Sequence, residues 1–203
     1  MFRTKEPHDA SEFFECLVEA LQDASLLNMV SGSLVERKVC LSCWKVSDVA
    51  QKFLILPLAV VGTGSFTIEE SVNQFLTSQI LHEVSCSGCS LKVCEASSLV
   101  QYCPGLLVIV LQRFLVRDGM IRKNRQLVSN PLANLSISGK DCQLKAVVVH
   151  KGSQSAGHYA ALTNYGGSWF HCDDSQVTAV SSSKVSTEAG SGYIFMYSCK
   201  ESS

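Results

Sequence analysis

Two Cys-x-x-Cys pairs are the feature that most restricts how this chain can fold, because each pair places two thiols in one short turn. Cys40 and Cys43 form the first pair, Cys86 and Cys89 form the second, and residues 44–85 separate the pairs. Two such turns brought together supply the four thiolates that a tetrahedral zinc site requires. The pattern therefore predicts a closed, structural Zn²⁺ site with no position open for chemistry.

Other interpretations of these cysteines remain. The four could be unrelated buried residues, and a redox role is less favoured because no βαβ pattern precedes either pair. Cys94 lies close to the second pair and could be mistaken for a ligand. We interpret the remaining cysteines as small core residues without partners, namely Cys16, Cys103, Cys142, Cys172 and Cys199.

The bulk properties narrow the class of protein. The N-terminus shows no secretory apolar segment, so ten cysteines indicate metal ligands in a reducing, intracellular compartment, the cytoplasm or the nucleus, more than disulfides. The net charge of −1 gives no basic excess of the kind that nucleic-acid binding needs. No apolar stretch approaches the roughly 18 residues of a membrane span.

Hydrophobic periodicity predicts an α+β fold, with a short N-terminal helical part followed by a largely antiparallel sheet. Residues 9–28 are expected to form one amphipathic helix capped by Asp9, with Phe13, Leu17 and Leu21 on its apolar face. A second helix is expected over 68–81, and residues 181–191, rich in serine, are expected to form a loop. Strands are expected over 34–60, 98–102, 106–116, 143–150, 157–164, 168–172 and 193–198.

The segment 157–178 predicts a β-hairpin that holds a histidine and two aspartates. If Tyr165-Gly166 forms the loop, His158 lies directly opposite Asp173, close enough for a carboxylate to orient an imidazole. A loop at Gly166-Gly167 instead pairs Tyr159 with Asp174. A carboxylate-oriented imidazole is the base that a cysteine or serine nucleophile needs, although hairpin geometry alone favours a surface contact without function.

Other features of this region carry less weight. Gly157 is expected to leave room beside the imidazole for a substrate backbone. His150 and His171 are interpreted as sheet residues, and His82 as an exposed residue near the second cysteine pair.

Taken together and in order, several segments resemble one family, the ubiquitin-specific proteases, which are papain-like deubiquitinases. The segments that carry the resemblance are His8–Phe14 (HDASEFF), the two cysteine pairs, Leu107–Phe114 (LVIVLQRF), Lys145–Tyr159, Trp169–Val177 (WFHCDDSQV) and Tyr193–Tyr197 (YIFMY). His8 and Gln112 depart from the glutamine and lysine that are usual in the family. The resemblance implies a thumb, fingers and palm, with expected boundaries of 7–30, 31–103 and 104–199 within 1–203.

The resemblance also implies an activity, which is thiol-dependent hydrolysis of bonds at the C-terminal glycine of ubiquitin. It assigns the catalytic imidazole to His158, its carboxylate to Asp173 and an assisting carboxylate to Asp174. The expected partners are ubiquitin and ubiquitinated proteins. The family's Gly-x-Thr-Cys box, which precedes the Asp-Ala-x-Glu-Phe helix, is missing, so we expect the chain alone to be inactive. Cys16 lies inside the helix and does not replace that nucleophile.

Three alternatives remain at this point. The chain could be a non-catalytic ubiquitin-binding or regulatory fragment. It could be a zinc-scaffolded interaction protein unrelated to ubiquitin. The sequence could also be an incomplete gene product whose full form is an active deubiquitinase.

Overall fold

The computed structural model describes residues 8–117, 119–153 and 157–201, and these form four helices and fourteen strands. The helices are α1 (Ala10–Leu21), α2 (Ala24–Val30), α3 (Ile68–Leu76) and α4 (Ser182–Ala189). The strands are β1 (Gly32–Cys40), β2 (Val46–Phe53), β3 (Leu56–Ala59), β4 (Gln79–His82), β5 (Val93–Tyr102), β6 (Leu106–Gln112), β7 (Phe114–Arg117), β8 (Met120–Lys123), β9 (Leu135–Ile137), β10 (Lys140–Gly152), β11 (Gly157–Tyr165), β12 (Ser168–Asp173), β13 (Gln176–Val180) and β14 (Gly192–Glu201).

The larger sheet has the strand order β13-β12-β11-β10-β14-β6-β3, with β9 paired to β10. Every pair in it is antiparallel except β3 with β6, so the predicted, mostly antiparallel sheet is confirmed. Strand β6 is a continuous apolar run because both its faces are covered. Leu107, Ile109 and Leu111 face the main core, whereas Val108 and Val110 face a second cluster that includes Phe14 of α1.

The smaller sheet has the order β2-β1-β5-β4 and carries the cysteine pairs at one end. It offers little apolar surface to bury, since seven of the eight residues of β2 are exposed. A sheet with so small a core needs another source of rigidity. The predicted boundary of 31–103 for this part stays a prediction, and β3, which falls inside that range, joins the larger sheet.

The single helix expected over 9–28 is wrong, because two helices meet there. Gln22 adopts a left-handed conformation (φ 49°), and the Asp23 side chain accepts hydrogen bonds from the backbone of Ser25 (2.8 Å) and Leu26 (3.0 Å) to start α2. An aspartate at this position is a strong helix start signal that the apolar periodicity concealed. Asp9 caps α1 as predicted, through the Ser11 N–H.

The apolar face of α1 is also largely uncovered. Phe13, Leu17 and Leu21 are 53%, 42% and 55% exposed, and the buried residue of this helix is Val18. Side chains that were predicted to face a core therefore form an apolar surface. None of the helices that the structure describes is long and apolar enough to cross a membrane.

Two other boundaries differ from the predictions. The helix expected over 68–81 ends at Leu76, where Thr77 is its C-cap, and residues 79–82 form β4 instead. The serine-rich stretch predicted as a loop forms α4, because the Ser181 hydroxyl accepts from the Lys184 N–H as an N-cap and Val185 and Ala189 are buried. Serine is unfavourable inside a helix but is a good N-cap, and burial of Val185 and Ala189 against the core stabilises the helix despite its serines.

The expectation that Cys142 and Cys199 lack partners is wrong. They lie directly opposite each other on β10 and β14 and form a disulfide. Cys103, at 1% exposure, has its Sγ within 4.8 Å of both of their sulfurs, and burial raises the pKa of its thiol to about 11. The sequence does not show how β10 pairs with β14, so it could not reveal that two cysteines 57 positions apart lie opposite each other.

Candidate active site and metal centre

The hairpin that carries the candidate histidine turns at Gly166-Gly167. Both glycines have positive φ, 58° and 85°, which a two-residue type I′ turn requires at each central position. Tyr165 pairs with Ser168 and Ala161 with Cys172, so His158 is not directly opposite Asp173. The first predicted register is therefore wrong, and the alternative loop is the one that forms.

His158 and Asp173 nevertheless contact each other, with His158 Nε2 2.5 Å from Asp173 Oδ1. A shift of two residues leaves every side chain on its original face, because the side-chain period of a strand is two. Continuing the observed register pairs Ala160 with Asp173, and His158 is two residues from Ala160. The two side chains are diagonal neighbours on one face, within reach of each other.

The contact favours charge on both partners. The hydrogen bond to Asp173, and then the charge of that carboxylate, raise the pKa of His158, and the charge of Asp174 adds to the same effect. The hydrogen bond from His158 lowers the pKa of Asp173. Because Nε2 is held by the carboxylate, Nδ1 is the nitrogen left to exchange a proton with another group.

Asp174 follows directly at the turn between β12 and β13, in a left-handed conformation (φ 50°). One oxygen of each aspartate and one nitrogen of His158 lie within 4.8 Å of one another. The structure thus brings together all three residues that the resemblance assigns to catalysis. Their roles in catalysis remain predictions.

A cleft of about 830 Å³ opens beside this hairpin, between the start of α1 and the strand ends. His158, Gly157 and Asp174 line one part of it, and His8, Asp9 and Glu12 line another. An aromatic wall of Phe114, His150, Tyr159 and Tyr193 completes the lining. All ten cysteines of the sequence lie within the described ranges, and none lines this cleft.

Two nearby cysteines are positioned away from the cleft. Cys16 is exposed on α1, and Cys172 is opposite Ala161, on the sheet face that His158 does not share. Neither can act as the nucleophile for His158 in this structure. The expectation that Cys16 does not serve as one agrees with its position.

The sequence did not point to Asp9 as part of the site. Asp9 Oδ2 accepts from the Tyr193 hydroxyl at 2.7 Å and from the Tyr159 hydroxyl at 3.4 Å. Burial alone would raise the pKa of Asp9, but hydrogen bonds from Ser11, Tyr193 and the backbone outweigh it and hold the pKa below its ordinary value. A helix cap therefore also ties α1 to the strands of the larger sheet.

Glycine at position 157 is required by a neighbouring side chain, and its predicted role beside a substrate backbone stays a prediction. A Cβ on Gly157 would lie 1.9 Å from His150 Nε2, so the room beside this glycine is filled by the ring of His150. His150 is 5% exposed on β10, and its carbonyl and Nδ1 both contact Lys123 Nζ. His150 and His171 lie on β10 and β12, which confirms that they are sheet residues, and His82 is exposed at the end of β4.

The four paired cysteines meet at the end of the smaller sheet. Their sulfurs all lie within 4.8 Å of one another, with Cys40 Sγ 3.5 Å from Cys89 Sγ and Cys43 Sγ 3.6 Å from Cys86 Sγ. A tetrahedral zinc site with Zn–S bonds of about 2.3 Å places its sulfurs about 3.8 Å apart. The observed spacing fits that site. Cys94 is buried on β5, opposite Cys40, and does not belong to the group.

The surroundings of the sulfurs also fit a bound cation. Backbone N–H groups of Cys43 and Ser42 lower the pKa of the Cys40 thiol to about 6, and the Gly88 N–H donates to Cys86 Sγ at 3.2 Å. A Cβ on Gly88 would lie 3.3 Å from Cys43 Sγ, so a larger residue would crowd the cluster. N–H donors around thiolates are the usual support of a metal–sulfur site. The tetrad can therefore hold a metal.

Comparisons with known proteins agree with the geometry. The profile of the family described as ubiquitin carboxyl-terminal hydrolase matches residues 1–197. Human ubiquitin carboxyl-terminal hydrolase 21 is 30% identical over 192 residues, which cover 87% of this chain and 34% of the relative. Ubiquitin carboxyl-terminal hydrolase 19 of Arabidopsis thaliana is 28% identical over 195 residues, covering 87% and 28%.

Solved structures show the same fold. The SAGA Ubp8/Sgf11/Sus1/Sgf73 DUB module bound to ubiquitin aldehyde matches with a TM-score of 0.84 at 23% identity, covering 98% of this chain and 50% of that one. A form of the module bound to monoubiquitin matches with a TM-score of 0.82 at 25% identity and the same coverage. The chain thus spans about a third of the curated relatives and half of the solved chains. The predicted papain-like fold of ubiquitin-specific proteases is confirmed, and the chain belongs to the ubiquitin carboxyl-terminal hydrolase family.

Proposed function

We propose that this chain provides the histidine–aspartate half and the ubiquitin-holding fingers of a cysteine-type deubiquitinase. The observation that carries the proposal is the His158–Asp173 contact at the edge of an open cleft, in a chain of this family. The substrates are ubiquitin conjugates, and the bond cleaved is the amide at ubiquitin's C-terminal glycine. Relatives solved with ubiquitin aldehyde and with monoubiquitin support ubiquitin as the partner.

The reaction follows from the two nitrogens of His158. Nδ1 takes the proton of a thiol, and the thiolate attacks the glycine carbonyl carbon while Asp173 at Nε2 stabilises the imidazolium. The tetrahedral intermediate collapses, the carbon–nitrogen bond breaks, and the imidazolium protonates the leaving lysine amine. Water, deprotonated by His158, then hydrolyses the thioester and restores the thiol. Asp174 adds negative charge beside the imidazolium.

The thiol for this reaction does not come from the 203 residues, because none of their cysteines lines the cleft. We therefore propose that the chain alone does not hydrolyse ubiquitin conjugates. The cleft and the smaller sheet are nevertheless formed, which supports a second candidate function, that of a non-catalytic ubiquitin-binding or regulatory fragment. The two candidates differ only in whether a cysteine-bearing segment joins this one in the cell.

Zn²⁺ is the metal proposed for Cys40, Cys43, Cys86 and Cys89, since four thiolates close the coordination shell. When bound, it supplies a cross-link between the β1–β2 turn and the loop after β4, and no chemistry. This cross-link compensates for the small core of the smaller sheet. We propose a reducing intracellular compartment, cytoplasm or nucleus, in which these thiols stay available to metal.

Two assays with one preparation test the proposal. The 203-residue chain is incubated with ubiquitin carrying a C-terminal fluorogenic amide, and it is separately labelled with ¹⁵N and titrated with ubiquitin. We expect no turnover, together with shift changes at the fingers and the cleft. Turnover above buffer overturns the claim that the chain alone is inactive. A complete absence of ubiquitin binding overturns both candidate functions for the isolated chain.

A further inference from the structure

A second cavity, of about 360 Å³, shares His150 with the cleft and is lined by cations. Arg113, Lys123, Arg125 and Lys151 all contribute to its wall. Among the described residues no aspartate or glutamate lines it. A concave space whose described lining carries four cations raises the local concentration of anions.

Arg113 is the deepest of the four, at 2% exposure. Among the described residues, its guanidinium donates to backbone carbonyls alone: Nε to Gly192 at 2.7 Å, Nη1 to Gln126 at 2.7 Å and Asn124 at 3.2 Å, and Nη2 to Gly190 at 3.5 Å. These bonds satisfy most of its N–H groups but leave its charge uncancelled. Buried charges are normally paired with an opposite charge.

Lys123 adds a second cation that is partly buried. Its ammonium donates to the His150 carbonyl at 2.5 Å and lies 3.0 Å from His150 Nδ1. Burial, and then the charges of Arg113 and Arg125, lower its pKa, so the charged groups that act on it are cations. The charge of Lys151, a third cation of the wall, also lowers the pKa of both His158 and Asp173.

We propose that this cavity is a binding site for a phosphate-class dianion, either free phosphate or the phosphate of a modified side chain. Arginine forks and lysine ammonium groups are the side chains that proteins use for phosphate oxygens. A dianion would supply the opposite charge that Arg113, Lys123 and Arg125 lack. The inference is independent of the proposed hydrolase activity, since it concerns the charges of this cavity alone.

A ligand in the cavity would change the electrostatics of the cleft through His150, which lines both. Burial, followed by the charge of Lys123, lowers the pKa of His150, whereas the charge of Asp9 raises it. A bound dianion offsets the charge of Lys123 and therefore raises the pKa of His150. The ring of His150 packs against Gly157, the neighbour of His158, so a change at His150 would also reach the hairpin that carries His158.

The test is an NMR titration of the 203-residue chain with inorganic phosphate at fixed pH. The chloride concentration is lowered as phosphate is added, so that the ionic strength stays constant. We expect saturable shifts at Lys123, Arg125 and the His150 ring. Arg125 is exposed, and Arg125→Met should weaken binding at least threefold, whereas Lys123→Met with Arg125→Met should weaken it at least tenfold. Lys92→Met, a distant exposed lysine, is the matched control and should bind as the parent does.

Shifts that do not saturate, or that are the same in Arg125→Met and Lys92→Met, would show that only the general ion atmosphere is sensed and would overturn the site. A second arm uses a short phosphoserine peptide and its unphosphorylated form. Tighter binding of the phosphopeptide than of inorganic phosphate assigns the ligand to a modified protein. Equal binding assigns it to free phosphate.

Discussion

His158 Nε2 and Asp173 Oδ1 are hydrogen-bonded although their residues are not paired across the hairpin. The pairing of the strands is set by the two glycines of the turn, and the contact survives because a two-residue offset preserves the face of each side chain. The position of the carboxylate relative to the imidazole therefore depends on the turn as much as on the two residues themselves.

Gly167→Ala is expected to strain this turn. Gly167 has φ 85°, which an L-residue adopts at a cost of about 1 kcal/mol. We expect the free energy of unfolding, measured by urea denaturation, to fall by about that amount. Gly64→Ala is the control, because Gly64 has open space around it and no positive φ, and it should change stability by less than about 0.5 kcal/mol. Equal effects of both changes would contradict the role assigned to the turn.

Gly157→Ala is expected to displace His150. The new Cβ would lie 1.9 Å from His150 Nε2, and overpacking of this kind costs about 1–3 kcal/mol. In a double-mutant cycle with His150→Ala, the cost of Gly157→Ala should largely disappear. A cost that is the same in both backgrounds would mean that His150 is not the group that requires glycine at this position.

Replacing a cysteine of the tetrad is expected to remove the metal. Purified parent protein should contain about one zinc per chain, and Cys40→Ser with Cys86→Ser should contain almost none and unfold at a lower temperature. Cys94→Ala is the matched control, because Cys94 lies opposite Cys40 but outside the four-sulfur group. Elemental analysis measures the zinc content of each protein, and thermal denaturation measures its stability. A metal-free parent that is fully folded would rule out the structural zinc.

The Cys142–Cys199 disulfide is expected to matter for stability when it is oxidised. It joins residues 57 positions apart, for which the chain-entropy model gives a stabilisation of about 4 kcal/mol. Unfolding of the oxidised chain should shift to lower denaturant after reduction, and Cys142→Ser with Cys199→Ser should no longer respond to reductant. Alkylation followed by mass spectrometry identifies the bonded pair. A response that persists in the double variant would locate the redox-sensitive bond elsewhere.

Local patterns were the most informative part of the sequence. Each cysteine pair lies in a short turn and β6 is an unbroken apolar run, so both features could be predicted from the sequence, although the strand expected over 106–116 divides into β6 and β7. The break between α1 and α2 was missed because apolar periodicity continues through it, although Asp23 caps the second helix. The exposed face of α1 could not be foreseen, because exposure depends on what packs against a helix and not on its own pattern.

Only the part of the site that depends on neighbouring strands could be predicted from the sequence. His158 and Asp173 lie on neighbouring strands, so their approach follows from any register with the correct face. Asp9, Tyr193 and His150 come from distant parts of the chain, and their meeting depends on the order of strands in the sheet. Likewise, Cys142 and Cys199 could be recognised as a pair only once β10 and β14 were known to be adjacent.

The pH dependence of the dyad has a defined sign. Since the pKa of His158 is raised, its contribution to stability is present below about 6.5 and is lost as the pH rises through the folded value. Since the pKa of Asp173 is lowered, its contribution is present above 3.8 and is lost as the pH falls through the folded value. The pair therefore stabilises the fold most between these two ordinary pKa values.

The most direct test of the dyad is an NMR titration of the His158 ring in the parent chain and in Asp173→Asn. A pKa above 6.5 in the parent that falls by a clear margin in Asp173→Asn is the expected result. An identical His158 pKa in the two proteins would contradict the account, because the carboxylate would then neither charge nor orient the imidazole.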